Sequence, residues 1–92
     1  MDFIQEANKI YLNDDNNHMI AVVTFPKVSE GVVNIDHTFV DPSLRGQGVA
    51  SKLMEAAVAY FRSNNLKVKP TCSYAVKWFS ENPEYEDVLT KS

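Results

Sequence analysis

Asp41-Pro42-Ser43-Leu44-Arg45-Gly46-Gln47-Gly48-Val49-Ala50-Ser51 is the stretch on which the reading of this chain turns. It separates a β-rich first half from a long apolar run with helical spacing. Two glycines, Gly46 and Gly48, lie beside the cation Arg45 at the junction between strand and helix. A helix start leaves its first N–H groups without intrahelical acceptors and carries the positive end of the helix dipole. An anion such as a phosphate is well served there. A pair of glycines by itself marks only a tight turn at positive φ. The position between strand and helix, next to Arg45, is what points to a ligand. Nucleotide motifs do not fit, because no Gly-Lys-Ser/Thr ending completes a P-loop and no third glycine completes a dinucleotide fingerprint.

Upstream, Val32 to Val40 reads as a strand. Alternation places Val33, Ile35, His37 and Phe39 on one face and Val32, Asn34, Asp36, Thr38 and Val40 on the other. His18 to Phe25 is almost continuously apolar, as expected of a central strand, and Pro26 should weaken its pairing. Lys9 to Leu12 is a short strand, joined to it by the polar turn Asn13 to Asn17. Ser29-Glu30-Gly31 forms the next turn. These three strands predict an antiparallel meander.

Downstream, the spacing predicts a helix from Gln47 to Asn64, with Ala50, Leu53, Met54, Ala57 and Phe61 on one face. Asn64-Asn65 suits a left-handed cap. Leu66 to Cys72 reads as a fourth strand, which a helical crossover would place parallel to the third. Ser73 to Glu81 is a short helix stopped by Asn82-Pro83; Glu84 to Ser92 reads as a tail of uncertain order, with Glu84, Glu86 and Asp87 as a solvated charge cluster. The expected fold is α+β, a single domain over residues 1–92 with its core at about residues 9–85.

The 92 residues suffice for one modest core. With 45% hydrophobic and 23% charged residues, the composition is that of a globular protein. A formal charge of −3 argues against a nucleic-acid footprint spread over the surface. The single cysteine, Cys72, cannot form an internal disulfide and fits a reducing compartment. No apolar run approaches a bilayer span, and the acidic N-terminus lacks the features of a signal peptide. A cytoplasmic monomer with no membrane partner is expected. His18, His37 and Cys72 lack the spacing of a zinc site, so no metal is expected.

Arg45, Gly48 and Ala50 form Arg-x-x-Gly-x-Ala behind the strand ending Phe39-Val40-Asp41-Pro42. This resembles the pyrophosphate motif of the GNAT acyltransferase superfamily, Gln/Arg-x-x-Gly-x-Gly/Ala. The order strand–strand–strand–helix–strand–helix is similar to that fold from about Lys9 to Tyr85. His37-Thr38-x-Val40, Pro70-x-Cys72-x-Tyr74 and Pro83-Glu84-Tyr85 resemble a small, minimal subfamily. The resemblance implies coenzyme A, carried as acetyl-CoA, with its pyrophosphate on the amides of Gln47, Gly48, Val49, Ala50 and Ser51. Gly46 shapes the turn, and the Ser51 hydroxyl is an added donor. Arg45 shapes the loop or offsets the 3′-phosphate. Phe39 and Val40 would offer main-chain groups to the pantetheine arm where the third and fourth strands splay.

Acyl transfer from a thioester needs a deprotonated acceptor, polarisation of the carbonyl and a proton for the leaving thiolate. Cys72, at the end of the fourth strand, could accept the acyl group or protonate the leaving sulfur. The alternative is an inert, small buried residue. His37 is the general-base candidate by residue type, or else a hydrogen-bonded core residue. Tyr74 could protonate the coenzyme A thiolate, with Tyr85 competing for that role. The superfamily often has an asparagine beyond this strand, and Cys72-Ser73-Tyr74 has none. The resulting expectation is an N-acetyltransferase acting on an amine acceptor, a small molecule or a protein. The alternative is an acetyl-CoA-binding or sensing module with little turnover.

Overall fold

The computed structural model describes residues 2–44 and 46–90. β1 (Ile4–Glu6) pairs antiparallel with β2 (Lys9–Asn13), and β2 pairs with β3 (Met19–Thr24). The expected polar turn joins the latter two. The Asp14 carboxylate accepts from the N–H groups of Asn16 and His18, and Asn17 takes the left-handed conformation at φ 62°. β1 is an addition to the expected meander. All three of its residues are exposed, so no buried face marks it in the sequence.

Pro26 ends β3. The chain continues as β4 (Lys27–Ser29), turns at Gly31, and returns as β5 (Val32–Val33) and β6 (His37–Val40). β5 pairs with β4, whereas β6 pairs with β3. The expected third strand is therefore split between two sheets, β1-β2-β3-β6 and β4-β5-β7.

The split has a local cause. Thr24 stands opposite His37, yet the Asp36 N–H also reaches the Thr24 carbonyl at 3.3 Å, and the Thr24 hydroxyl bonds the Asp36 carboxylate. Two residues on one strand thus oppose one on the other, which is a β-bulge. The bulge shifts the alternation by one residue. Val33 and Ile35 face the core, as expected, but His37 and Phe39 turn outward while Thr38 and Val40 turn inward. The shared face assigned to Val33, Ile35, His37 and Phe39 is corrected accordingly.

α1 (Val49–Ser63) buries Val49, Leu53, Met54, Ala57, Val58 and Phe61. Phe61 meets Phe25 edge-on, with ring centroids 5.0 Å apart. The helix closes with Asn65 at φ 55°, the Leu66 N–H on the Phe61 carbonyl at 2.9 Å and the Asn65 N–H on the Arg62 carbonyl. That pair of bonds and the left-handed residue form a Schellman motif. β7 (Lys67–Val68) then lies parallel to β5, with Val33 opposite Val68.

α2 (Ser73–Glu81) follows, and Asn82-Pro83 stops it as expected. The tail is ordered over its described residues. Pro83–Val88 forms a 3-10 segment, Val88 is buried in the common core, and Leu89 bridges to Val68. The Arg62 guanidinium clamps this segment, donating to both Asp87 carboxylate oxygens at 3.0 and 2.6 Å and to the Glu84 carbonyl.

Candidate functional site

The carbonyls of Gly31, Val33 and Ile35 accept from the chain that carries β7. Lys67 donates to Gly31, Lys69 to Val33, and both Thr71 and Cys72 to Ile35. Beyond Ile35 the two chains part. One follows the bulge into β6, and the other turns at Cys72 into α2.

The register fixes which groups of β6 face the gap. Asp41 N–H donates to the Ile20 carbonyl at 2.8 Å, and antiparallel bonding alternates along the strand. Asp41, Phe39 and His37 therefore direct their main-chain groups at β3. Thr38 and Val40 direct theirs at the open edge. Of the two residues expected to offer main chain to a pantetheine arm, Val40 turns its main-chain groups to that edge. Phe39 has its main chain committed to Val22, and Thr38 takes its place. The Phe39 side chain is 40% exposed on the outer face.

Cys72 stands at the apex of the gap. Its thiol donates to Thr38 Oγ1 at 3.7 Å across the splay. Its backbone is the N-cap of α2, so the helix start lies behind the sulfur. Burial pushes the thiol pKa up, but the dipoles around it prevail and hold the value below the ordinary one. The Ala75 N–H contributes most to this lowering, followed by the Thr38 hydroxyl, which can donate in turn once the sulfur is a thiolate, and by the N–H groups of Tyr74 and Thr38. The helix N–H groups do not close a full capping bond on the sulfur; they act through proximity. A thiol at a helix N-terminus is a favoured place for a thiolate.

Tyr74 lies in the first turn of α2, half-buried. Its phenol pKa is raised by burial and then by the charge of Glu81. It is therefore protonated at neutral pH. His37 projects from the side of β6 opposite Thr38, exposed to solvent, and so is not gathered with Cys72. His18 pairs with Asp14 in the first turn. The sequence reading missed Thr38 because unbroken alternation hides it; only the bulge turns it inward.

Gly46 and Gly48 both have positive φ, 83° and 69°. Gly48 is the N-cap of α1 in the left-handed conformation and brings no capping side chain. A capping Ser or Asp would occupy the N–H groups of this turn. Its absence, and the lack of an acidic residue in the first turn, keep that end electropositive. Gln47 is exposed, Val49 is buried and Ala50 is half-buried. Ser51, third in the helix, accepts the Trp78 indole N–H on its Oγ at 3.0 Å. Its own proton remains available to donate. Arg45 lies outside the described residues. Tyr85 stacks on Trp78 at 4.9 Å and lies under the Arg62 guanidinium, which assigns it to the clamp of the 3-10 segment.

A large hollow lies elsewhere, at the start of β7, lined by Val32, Lys67, Glu84 and Asp87 among others. Two of its polar residues are already engaged, with Lys67 Nζ donating to the Asp87 carbonyl and the Asp87 carboxylate accepting from Arg62. Among the described residues no cluster of His, Cys, Asp and Glu could hold a metal ion.

Residues 9–88 match the sequence profile of a family described as GCN5-related N-acetyl-transferase. The chain belongs to this family. Protein NATD1 of chicken and mouse is 36% identical over 66 residues, covering 72% of this chain and 60% of the relative. The chain thus spans about 60% of the length of these curated relatives. A GCN5-like protein from Staphylococcus aureus, known from a solution NMR structure, is 40% identical, with a TM-score of 0.81 over 97% of this chain and 87% of that one. A Mycobacterium tuberculosis protein solved in complex with CoA shares the fold alone, at 13% identity and a TM-score of 0.65 over 83% of this chain and 47% of that one.

Proposed function

We propose that the protein binds acetyl-CoA and moves the acetyl group to an amine acceptor, with Cys72 as the first acceptor. The observation that carries this reading is the splay between β6 and the chain after β7. It has main-chain edges at Thr38 and Val40 turned away from β3, a cysteine at its apex, and a start of α1 without a side-chain cap as a phosphate seat.

The residues present fit the cofactor. Val40 and Thr38 would hold the pantetheine arm as an added strand is held. The first-turn amides of α1 and the Ser51 hydroxyl would hold the pyrophosphate. When bound, acetyl-CoA supplies an activated acyl thioester beside the Cys72 sulfur. Cys72 would give its proton to water, and its thiolate would bond the acyl carbon as the thioester bond to coenzyme A breaks. The proton balance closes when the departing coenzyme A thiolate is protonated, by the Tyr74 phenol or by water. The amine then displaces Cys72, yielding an amide and the free thiol.

A second reading, a binding or sensing module with slow turnover, draws on one specific feature. The chain has two histidines; His37 faces away from Cys72 and His18 is engaged with Asp14. Without an imidazole beside the sulfur, deprotonation of Cys72 relies on the dipoles around it.

Acetyl-CoA at a hundredfold excess over Kd should stabilise the fold by about 2.7 kcal/mol. For a domain of this size that is an upward Tm shift on the order of 10 °C. No shift at millimolar acetyl-CoA rejects both readings. Intact mass should show one acetyl group on the wild type and none on Cys72→Ala. Binding without acetylation or transfer across a panel of amines favours the sensing module.

A further inference from the structure

Trp78 is the only tryptophan in the chain and is 4% exposed. Its indole N–H is spent on a single partner, Ser51 Oγ, in the first turn of α1. A buried indole N–H needs an acceptor, and a helix core could have offered a carbonyl instead. Here the acceptor is a hydroxyl at the end of the helix proposed to hold phosphate. The hydrogen bond has two consequences. It selects one rotamer of Ser51 from the three staggered wells otherwise open. It also occupies an acceptor site on the oxygen, so the hydroxyl proton is directed away from Trp78.

The seat of Trp78 is built from the far end of the chain. Tyr85 stacks on the indole with an interplanar angle of 27°. Arg62 lies over the Tyr85 ring, 5.3 Å from its centroid, and is fixed by both carboxylate oxygens of Asp87. Asn82 Nδ2 donates to the Trp78 carbonyl at 2.8 Å. The Tyr85 stack locates the ring, the Asn82 bond fixes the Trp78 backbone, and Arg62 with Asp87 holds Tyr85.

We propose that Trp78 is a positioning residue for the phosphate-binding end of α1, acting through Ser51 Oγ. It holds Ser51 as a preset donor to a diphosphate group. The Asp87–Arg62–Tyr85 clamp serves this seat, which gives the 3-10 segment a role in ligand affinity as well as in stability. The inference rests on the reading of the α1 terminus as the coenzyme A pyrophosphate site.

Calorimetric titration of CoA and of 3′-dephospho-CoA into wild type, Trp78→Phe, Ser51→Ala and the double variant tests it. Trp78→Phe keeps an aromatic ring against Tyr85 and removes the N–H. It should weaken both ligands equally, by roughly three- to tenfold. In the Ser51→Ala background the same substitution should add nothing, since its target is gone. Melting curves set the titration temperature below every transition.

The indole N–H resonance of the wild type gives a readout that does not depend on the folding of any variant. Saturation with CoA should shift it, because a hydroxyl that donates to phosphate becomes a stronger acceptor. Absence of CoA binding by the wild type rejects the cofactor reading on which the inference stands. With binding intact, an unmoved indole resonance overturns the Trp78 inference alone. So do equal affinities in wild type and Trp78→Phe, or losses that add in the double variant.

Discussion

Gly48 allows backbone strain and ligand approach to be separated. It sits at φ 69° and ψ 20°, and a Cβ placed on it meets nothing within 4 Å. Alanine there is opposed only by the left-handed backbone, about 1–2 kcal/mol for an ordinary L residue. At about 4–8 °C per kcal/mol for a domain of this size, Gly48→Ala lowers Tm by roughly 4–16 °C. Asparagine tolerates this region through local hydrogen bonding, so Gly48→Asn should melt within a few degrees of the wild type. If glycine served the turn alone, Gly48→Asn would also bind CoA normally. The account requires otherwise, because the side chain would stand where phosphate oxygens approach the α1 amides. At least tenfold weaker binding is expected, about 1.4 kcal/mol. Differential scanning calorimetry reads the first quantity and isothermal titration the second. A Gly48→Asn protein that binds CoA within about twofold of the wild type would refute the close-approach reasoning.

Alkylation of Cys72 by iodoacetamide should rise with pH around a midpoint below the ordinary thiol value, since the thiolate is the reactive form. Thr38→Val removes one source of that lowering and should move the midpoint upward without unfolding the protein. Val88→Ala should cost about 1.5–2.5 kcal/mol, measured by urea denaturation, because the 3-10 segment belongs to the core. The hydrogen bond from Arg62 lowers the Asp87 carboxyl pKa in the folded state. Its stabilisation is therefore present above the unfolded carboxylate pKa and lost as pH falls through the folded value. The urea midpoints of wild type and Asp87→Asn should differ at neutral pH and converge in acid.

The elements easiest to read in advance were those whose pattern and punctuation agree. α2 begins and ends where Ser73 and Asn82-Pro83 indicate, and α1 closes on the anticipated Asn65. The parallel placement of β7 follows from the helical crossover. Three features were hidden for different physical reasons. The bulge at Asp36-His37 contains neither Gly nor Pro, and its insertion of one residue reverses every face after it. This moved His37 out of the site and Thr38 into it. The last segment reads as solvated because Glu84, Glu86 and Asp87 surround Val88; the three-residue spacing of Tyr85 and Val88 was the available signal. The Trp78–Ser51 bond joins two helices distant in sequence and leaves no local trace. The loop glycines were legible because positive φ constrains residue type, whereas the partners of Cys72 depend on register.

Backbone amide mapping on addition of CoA tests the central claim most directly. Shifts in nitrogen–proton correlation spectra should concentrate at Thr38, Val40, Gly46 to Ser51, and Cys72 to Ala75, saturating together as one site. Shifts confined to the hollow around Val32, Lys67 and Asp87, with the Thr38–Cys72 splay and the start of α1 unmoved, would contradict the account.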